Sequence, residues 1–235
     1  MSTINKSMSD IIKARIRADH GSFLANENIS KYINTDDELQ QLQNEVQKKV
    51  EDLLQSLVID THNDHNTKDT ARRVAKMYIR EVFNGRYAKE PDCTSFPNYK
   101  QFGDLYIIGP IQVRSACSHH LVPILGKVWV GAVAPDKLKG LSKFNRLTNW
   151  VMARPQIQEE AVVILADALE KEMKPEGLAI VMNAAHMCVS WRGVKDNDTK
   201  MMTSIMRGSF LKSDALRMEF LTLIQGMGFN KNEVL

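Results

Sequence analysis

Two distant segments of this 235-residue chain carry residue types that bind metal ions. The first is the run Cys117-Ser118-His119-His120, and the second is the triplet His186-Met187-Cys188. The chain has three cysteines, and two of them lie in these segments. Thiolate and imidazole are ligands that zinc prefers, and a catalytic zinc takes three protein ligands and keeps a fourth position for water. The two segments therefore favour a metal-dependent enzyme.

The spacing within each segment predicts where its side chains point. Cys117 and His120 are three residues apart at a predicted corner between a strand and a loop, so both can face one ion. His186 and Cys188 are two apart in a predicted strand, so they should project from the same face. A closed structural site is the alternative, in which His119 or His186 joins the other three as a fourth ligand.

The overall composition is that of an ordinary globular protein. A hydrophobic content of 43% with 25% charged residues allows a sizeable core. The net charge of +3 is too small to indicate a nucleic-acid-binding protein. No apolar run approaches the roughly 18 residues of a membrane helix, and the N-terminus lacks the apolar region of a secretory signal. The small, odd number of cysteines argues against a disulfide framework. We expect a cytoplasmic protein without nucleic-acid or membrane partners.

Hydrophobic periodicity predicts an α+β chain with a helical N-terminal region. Helices are expected over residues 8–17, 36–57, 70–83, 142–152, 156–172 and 213–225. Strands are expected within residues 105–118, 127–135, 177–194 and 201–210. Residues 1–65 should form a helical appendage, and residues 66–235 the catalytic domain with its leading helix.

Glycine and proline set three further expectations. Gly85 is expected to end the helix that begins at Thr70. Residues 85–103 should form a long irregular connection because they contain several prolines and glycines. Pro155 suits the first position of the following helix, where its missing N–H would be unpaired in any case.

Six motifs follow one another along the chain: DTARRVAKMY, SACSHHLVP, GLSKFNRL, ARPQIQEE, AHMCVSWRGV and TSIMRGSFLKSDALRMEFL. In these motifs and their order, the chain resembles the GTP cyclohydrolase I family over roughly residues 70–223. The resemblance implies a tunnelling fold (T-fold), in which an antiparallel four-stranded sheet is backed by two helices. It also implies a homo-oligomer, a decamer of two stacked rings with active sites between subunits.

The implied reaction is the hydrolysis of GTP to 7,8-dihydroneopterin triphosphate and formate. By resemblance, Cys117, His120 and Cys188 bind Zn²⁺, whereas His119 and His186 transfer protons. Three ligands leave a position for a water molecule whose pKa falls toward neutrality. An imidazole can then protonate the nitrogen that leaves when the guanine ring opens.

The resemblance also implies which residues hold the substrate. Glu159, with Gln158 beside it, would accept hydrogen bonds from N1–H and the exocyclic amine of guanine, an edge that adenine lacks. A glutamate in this place can also simply stabilise a helix N-terminus. The triphosphate needs polar and cationic partners, and the matching positions are Ser142, Lys143, Arg146, Arg192, Arg73 and Lys76.

Two residues depart from the family pattern. Ser118 stands where the family usually has glutamate, and Asn183 stands where an acidic residue is common. Both changes are expected to remove negative charge close to the metal and so to affect efficiency or substrate choice. Two other functions stay open: a T-fold paralogue that acts on another purine or pterin, and a non-catalytic zinc-binding oligomeric module. The sequence does not assign the downstream pathway, whether folate, biopterin or 7-deazaguanine synthesis.

Overall fold

The computed structural model describes residues 6–133, 135 and 137–229. The chain divides into two compact units, Met1–Lys89 and Glu90–Leu235. Each unit has its own buried apolar clusters. The expected division at residues 65 and 66 into an appendage and a catalytic domain stays a prediction.

The first unit consists of helices. They are α1 (Met8–Ala18), a 3₁₀ turn (Ser30–Tyr32), α2 (Asp36–Ser56), α3 (Thr70–Lys76), a π-helical turn (Met77–Val82) and α4 (Asn84–Tyr87). The start of α2 is capped by Thr35, whose hydroxyl accepts a hydrogen bond from the Glu38 N–H. The expectation that Gly85 ends a helix is wrong. Gly85 lies inside α4, and its carbonyl accepts a hydrogen bond from the Asn28 side chain.

A bidentate ion pair joins α1 to α2. The two terminal nitrogens of Arg15 each donate to one oxygen of Glu38 at 2.6 Å. The Asn34 N–H donates to the same carboxylate at 2.8 Å. The hydrogen bonds from Arg15 and Asn34 lower the pKa of Glu38 to about 2. The ionised form of Glu38 is therefore the one that holds the two helices together.

We expect Glu38→Gln to destabilise the chain near neutral pH and to have a progressively smaller effect in acid. The pKa of Glu38 lies below its ordinary value of 4.5, so its stabilising contribution is present above that value. The contribution is lost as the pH falls toward about 2. Thermal unfolding of parent and variant between about pH 7 and pH 3 measures the difference. A difference in melting temperature that stays constant over this range would contradict the prediction.

The second unit is built around a sheet. Its strands are β1 (Ser95–Pro97), β2 (Leu105–Cys117), β3 (Pro123–Val133), β4 (Lys137–Lys139), β5 (Pro155–Gln156), β6 (Gly177–His186) and β7 (Lys200–Gly208). The strand order of the main sheet is β5-β2-β3-β6-β7, and β1 pairs separately with β4. All pairs are antiparallel except β2 with β5.

Helices cover both faces of this sheet. The helices of the second unit are α5 (Leu141–Met152), α6 (Gln158–Met173), α7 (Met187–Ser190), α8 (Ser209–Lys212) and α9 (Asp214–Gly226). Alternate residues of β3 divide between the faces, as the two-residue period of a strand requires. Val128 and Val130 pack in the cluster that contains α5 and α6, whereas Trp129 packs with Phe220 of α9.

The predicted mixed α+β class is confirmed, although the sheet differs from the expected four-stranded one. The four long strands are antiparallel as expected, and the two-residue strand β5 adds a fifth at the β2 edge. None of the helices within residues 6–133 and 137–229 combines the length and the hydropathy that a membrane span requires.

Two expected element boundaries are wrong. The strand expected over residues 177–194 ends at His186 and continues as α7, whose last residue, Ser190, donates its hydroxyl hydrogen bond back to the His186 carbonyl. Pro155 is not the first residue of a helix. It lies in β5 beside Ala116, an edge position where a missing N–H is tolerated, and α6 begins at Gln158.

Candidate metal centre and active site

Three candidate ligands converge at one end of the sheet. The ligand atoms of Cys117, His120 and Cys188 all lie within 4.8 Å of one another. Cys117 is the last residue of β2, His120 lies in the turn before β3, and Cys188 lies in α7 directly after β6. Because β3 pairs with both β2 and β6, the ends of these strands meet at one edge.

A tight turn returns His120 to Cys117. The Leu121 N–H donates to the Cys117 carbonyl at 2.7 Å, and the Cys117 N–H donates to the Val122 carbonyl at 2.9 Å. Leu121 has a φ of 55°, the left-handed conformation that a tight reversal often needs. The turn is also tied to β5, because the Ser118 N–H donates to the Gln156 carbonyl at 3.2 Å.

The donor set fits zinc. Tetrahedral zinc with bonds of about 2.1–2.3 Å places its ligand atoms roughly 3.4–3.8 Å apart. The observed separations, at most 4.8 Å, exceed the upper end of that range by no more than about 1 Å. Burial raises the pKa of the Cys188 thiol, and the neighbouring Cys117 raises it further. A bound cation would stabilise both thiolates, which is the form that ligates metals.

The structure corrects how Cys188 reaches this site. His186 and Cys188 were expected on one face of a strand, but Cys188 lies in α7. The helical turn after His186 redirects the chain, so the two residues are not related by the strand period. His186 itself is half-buried at the end of β6, beside the triad in the chain but outside it.

His186 contacts the N-terminus of α6. Its Nε2 lies 2.9 Å from Oε1 of Gln158, the first residue of that helix. Burial lowers the pKa of His186, and the carboxylate of Glu159 acts in the opposite direction. Glu159 is exposed in the first turn of α6. A titratable imidazole, a buried amide and an exposed carboxylate thus occupy neighbouring positions.

Arg192 and His119 flank the candidate metal ligand His120. Nη1 of Arg192 lies 3.0 Å from Nε2 of His120, so this exposed arginine approaches the candidate ligand. The His119 and His120 rings are 6.3 Å apart, edge to face, and His119 is exposed. The site therefore has an exposed, partly cationic side next to two cysteines, of which Cys117 is buried and Cys188 is partly buried.

The remaining predicted phosphate contacts lie on two helices. Ser142 and Arg146 are exposed and lie one helical turn apart on α5. Lys143, also on α5, has its Nζ 3.5 Å from the Asp92 carbonyl oxygen. Within the first unit, Arg73 and Lys76 lie on α3 and are exposed. Their nearest carboxylates are those of Asp69 at 3.7 Å and Glu81 at 3.5 Å, respectively.

The structure places Asn183 on the opposite face of β6 from His186, and the expectation that Asn183 lies close to the metal stays a prediction. His186 pairs with Ile124, whose side chain packs with α5 and α6. Asn183 alternates with Val181 on the other face of β6, the face that packs toward α9. Of the two departures from the family pattern, only Ser118 is in the ligand-bearing turn.

Sequence reasoning missed one participant, Thr203 of β7. Its hydroxyl lies 3.0 Å from the amide nitrogen of Gln158, which touches His186. Thr203 lies in the recognised motif TSIMRGSFLKSDALRMEFL, but nothing in its local sequence indicates a role in the site.

The fold and the site define a mixed α+β protein with a candidate cysteine–histidine metal centre, a donor set of the kind that supports hydrolytic chemistry. The family model for GTP cyclohydrolase I matches residues 46–225. The chain belongs to the GTP cyclohydrolase I family.

Individual relatives agree with this assignment. The chain is 38% identical to GTP cyclohydrolase 1 of Flavobacterium johnsoniae over 181 residues, covering 77% of this chain and 80% of the relative. The corresponding protein of Sulfurihydrogenibium sp. is 39% identical over 162 residues, with coverages of 69% and 84%. That of Haemophilus ducreyi is 36% identical over 181 residues, with coverages of 77% and 83%.

A solved structure of archaeosine synthase QueF-Like in the apo form aligns with a TM-score of 0.34 and 12% identity. The alignment covers 51% of this chain and 97% of that one, and a likeness this weak carries no argument.

We expect Cys117→Ser and Cys188→Ser each to weaken zinc binding by more than about 100-fold, because loss of a ligand exceeds the 10- to 100-fold cost of losing an outer partner. Competition with a chromophoric chelator measures the affinity. Cys93→Ser is the matched control and should bind zinc like the parent, since Cys93 lies outside the triad.

His186→Ala should also retain its zinc. Loss of zinc from that variant would make His186 a ligand and contradict the assignment.

Proposed function

We propose that this chain is a zinc-dependent GTP cyclohydrolase I, which hydrolyses GTP to 7,8-dihydroneopterin triphosphate and formate. Family membership identifies it as a GTP cyclohydrolase I-type hydrolase. The observation that supports the zinc-dependent mechanism is the convergence of Cys117, His120 and Cys188, with His186 two residues before Cys188 in the chain. Such a set leaves a coordination position for water, and an imidazole close by in the chain can carry protons.

Cys117, His120 and Cys188 hold the zinc in this proposal. Zinc, when bound, supplies a Lewis acid that lowers the pKa of a water molecule for attack on C8 of guanine. Two thiolates and one neutral imidazole balance the charge of the ion. The site then has no net charge to hold a triphosphate, so the basic side chains must provide that attraction.

His186 and His119 move protons. Opening of the guanine ring requires a proton on the nitrogen that leaves C8, and an imidazole can take up and release protons near neutral pH. His186 is half-buried and oriented by Gln158, whereas His119 is exposed beside His120. This difference supports His186 as the residue that transfers protons at the guanine ring and His119 as the residue that exchanges protons with solvent.

Glu159 recognises guanine. Its carboxylate is exposed in the first turn of α6, one residue after the glutamine that contacts His186. A carboxylate accepts two hydrogen bonds from the N1–H and amine edge of guanine. Polar and basic side chains bind the triphosphate: Ser142, Lys143, Arg146, Arg192, Arg73 and Lys76.

We also propose the family's T-fold and its homodecamer with active sites between subunits. Within the described residues, β5 pairs with only Ala116 and Cys117 of β2, and β7 pairs with β6 on one side. Most of the backbone groups along both sheet edges are therefore available to another strand. The same proposal includes a cytoplasmic location. It also includes the division into a helical appendage (1–65) and a T-fold catalytic domain (66–235).

A direct assay distinguishes the candidate functions. Zinc-loaded protein is incubated with GTP, and formate and the fluorescence of the oxidised pterin are measured. Production of both from GTP is expected. Formate from another purine nucleotide but not from GTP would instead favour the paralogue, a candidate that Ser118 supports by replacing a carboxylate within the ligand-bearing turn. Formate from no purine nucleotide would favour a non-catalytic zinc-binding module.

We expect Glu159→Gln to raise KM for GTP by roughly 10- to 100-fold, because charge-assisted hydrogen bonds contribute about 1.5–3 kcal/mol. Glu160→Gln is the matched control, since Glu160 is the next residue of α6 and is also exposed. Its KM should stay close to that of the parent. Steady-state kinetics of the three proteins provide the comparison. Equal KM values for Glu159→Gln and parent would mean that other residues bind guanine.

A further inference from the structure

The amide of Gln158 has an orientation that its surroundings determine. Gln158 is only 1% exposed. Its Nε2 lies 3.0 Å from the Met201 carbonyl, 3.0 Å from the Thr203 hydroxyl and 3.4 Å from the Met182 carbonyl. Carbonyl oxygens only accept hydrogen bonds, so the amide nitrogen must face them. The amide oxygen is therefore the atom that faces His186.

This orientation decides which nitrogen of His186 carries a proton. Oε1 of Gln158 only accepts, and it lies 2.9 Å from Nε2 of His186. A neutral imidazole has one N–H and one lone pair. The alternative tautomer would place two lone pairs against each other and leave a buried acceptor unsatisfied, which is unfavourable. In the neutral ring, Nε2 therefore carries the hydrogen and Nδ1 carries the lone pair.

We propose that Gln158 is a positioning residue that holds the proton of neutral His186 on Nε2, so that Nδ1 is the nitrogen that exchanges protons with the substrate. This deepens the proposed function and rests on it, because it takes His186 as the proton carrier. It also gives Gln158 a role different from the substrate contact implied by family resemblance. The amide is buried and already bonded at both ends, which leaves it poorly placed to contact GTP.

Regular helix and strand elements hold the Gln158 side chain that contacts His186. Gln158 begins α6, Met182 belongs to β6, and Met201 and Thr203 belong to β7. The strand register places Met182 directly opposite Thr203, so the acceptors converge on one amide. A side chain held by one helix and two paired strands keeps its orientation without help from a ligand. The tautomer is thus set before GTP binds.

Gln158→Met tests the proposal, because methionine has a similar length and lacks the amide. We expect kcat to fall by about 10- to 100-fold, the cost typical of losing a partner that orients a metal-ligating histidine, while KM for GTP changes little. Thr203→Val removes one of the three acceptors and should lower kcat by a smaller factor. A raised KM with unchanged kcat in Gln158→Met would overturn the proposal and restore Gln158 as a substrate contact.

Gln156→Met is the matched control. Gln156 is also 1% exposed, and its amide donates to the Val151 and Met152 carbonyls and the Ser115 hydroxyl without touching a histidine. Its replacement removes the same number of donations from a buried amide nitrogen, whereas the Gln156 amide oxygen has no partner to lose, so the melting temperature should fall by no more than in Gln158→Met. The kcat of Gln156→Met should remain near that of the parent. If both variants lost kcat equally, the effect of Gln158→Met would reflect a general loss of stability, and the positioning role of Gln158 would be contradicted.

A spectroscopic measurement tests the tautomer independently of turnover. Solid-state ¹⁵N NMR of zinc-loaded protein labelled at its histidines reports which ring nitrogen bears a proton, and His186→Gln identifies the signal. We expect Nε2–H in the parent and a larger Nδ1–H population in Gln158→Met. Nδ1–H in the parent would overturn the proposal. A parent that shows Nε2–H but makes no formate from GTP would instead place the failure in the proposed function.

Discussion

The register of β3 against its two neighbours is the constraint on which the site depends. Pro123 at the start of β3 lies opposite Ala116, and the next residue, Ile124, lies opposite His186. This places the end of β2, the ligand-bearing turn and the end of β6 at one edge. A slip of one residue would move His186 to the other face of the sheet. Such a slip is unfavourable because β6 is buried on both faces, and its apolar side chains would have to move from one apolar cluster to the other.

The candidate centre lies where the hydrophobic core ends and solvent begins. Cys117 belongs to the core between the sheet and helices α5 and α6, whereas His120 and Arg192 are exposed. Low polarity on one side strengthens the interaction between thiolates and a cation. Access from the other side admits a charged substrate. The same boundary explains why Gln158 is buried while its neighbour Glu159 is free to meet a ligand.

Much of the chemistry was predictable because it depends on residue identity. Two cysteines and three histidines in two short segments indicate a metal centre whatever the fold, and the motif around them indicates the family. The start of α2 at residue 36 was predictable because helix capping, here by Thr35, involves only neighbouring residues. Local signals failed where a nonlocal contact decided the outcome. Pro155 reads as a helix start, yet pairing with Ala116 makes it part of an edge strand.

The sequence by itself determined the candidate ligands, the family and most of the helices and strands. Only the tertiary structure placed Cys188 in a helical turn and Asn183 on the far face of β6. It alone linked His186 to Gln158 and then to Thr203, contacts that span 28 and 45 residues of the chain. Such hydrogen bonds depend on strand pairing and helix packing. The identities and spacing of the residues involved do not reveal them. Residue types define what chemistry is possible here, and the register of the sheet decides which atoms perform it.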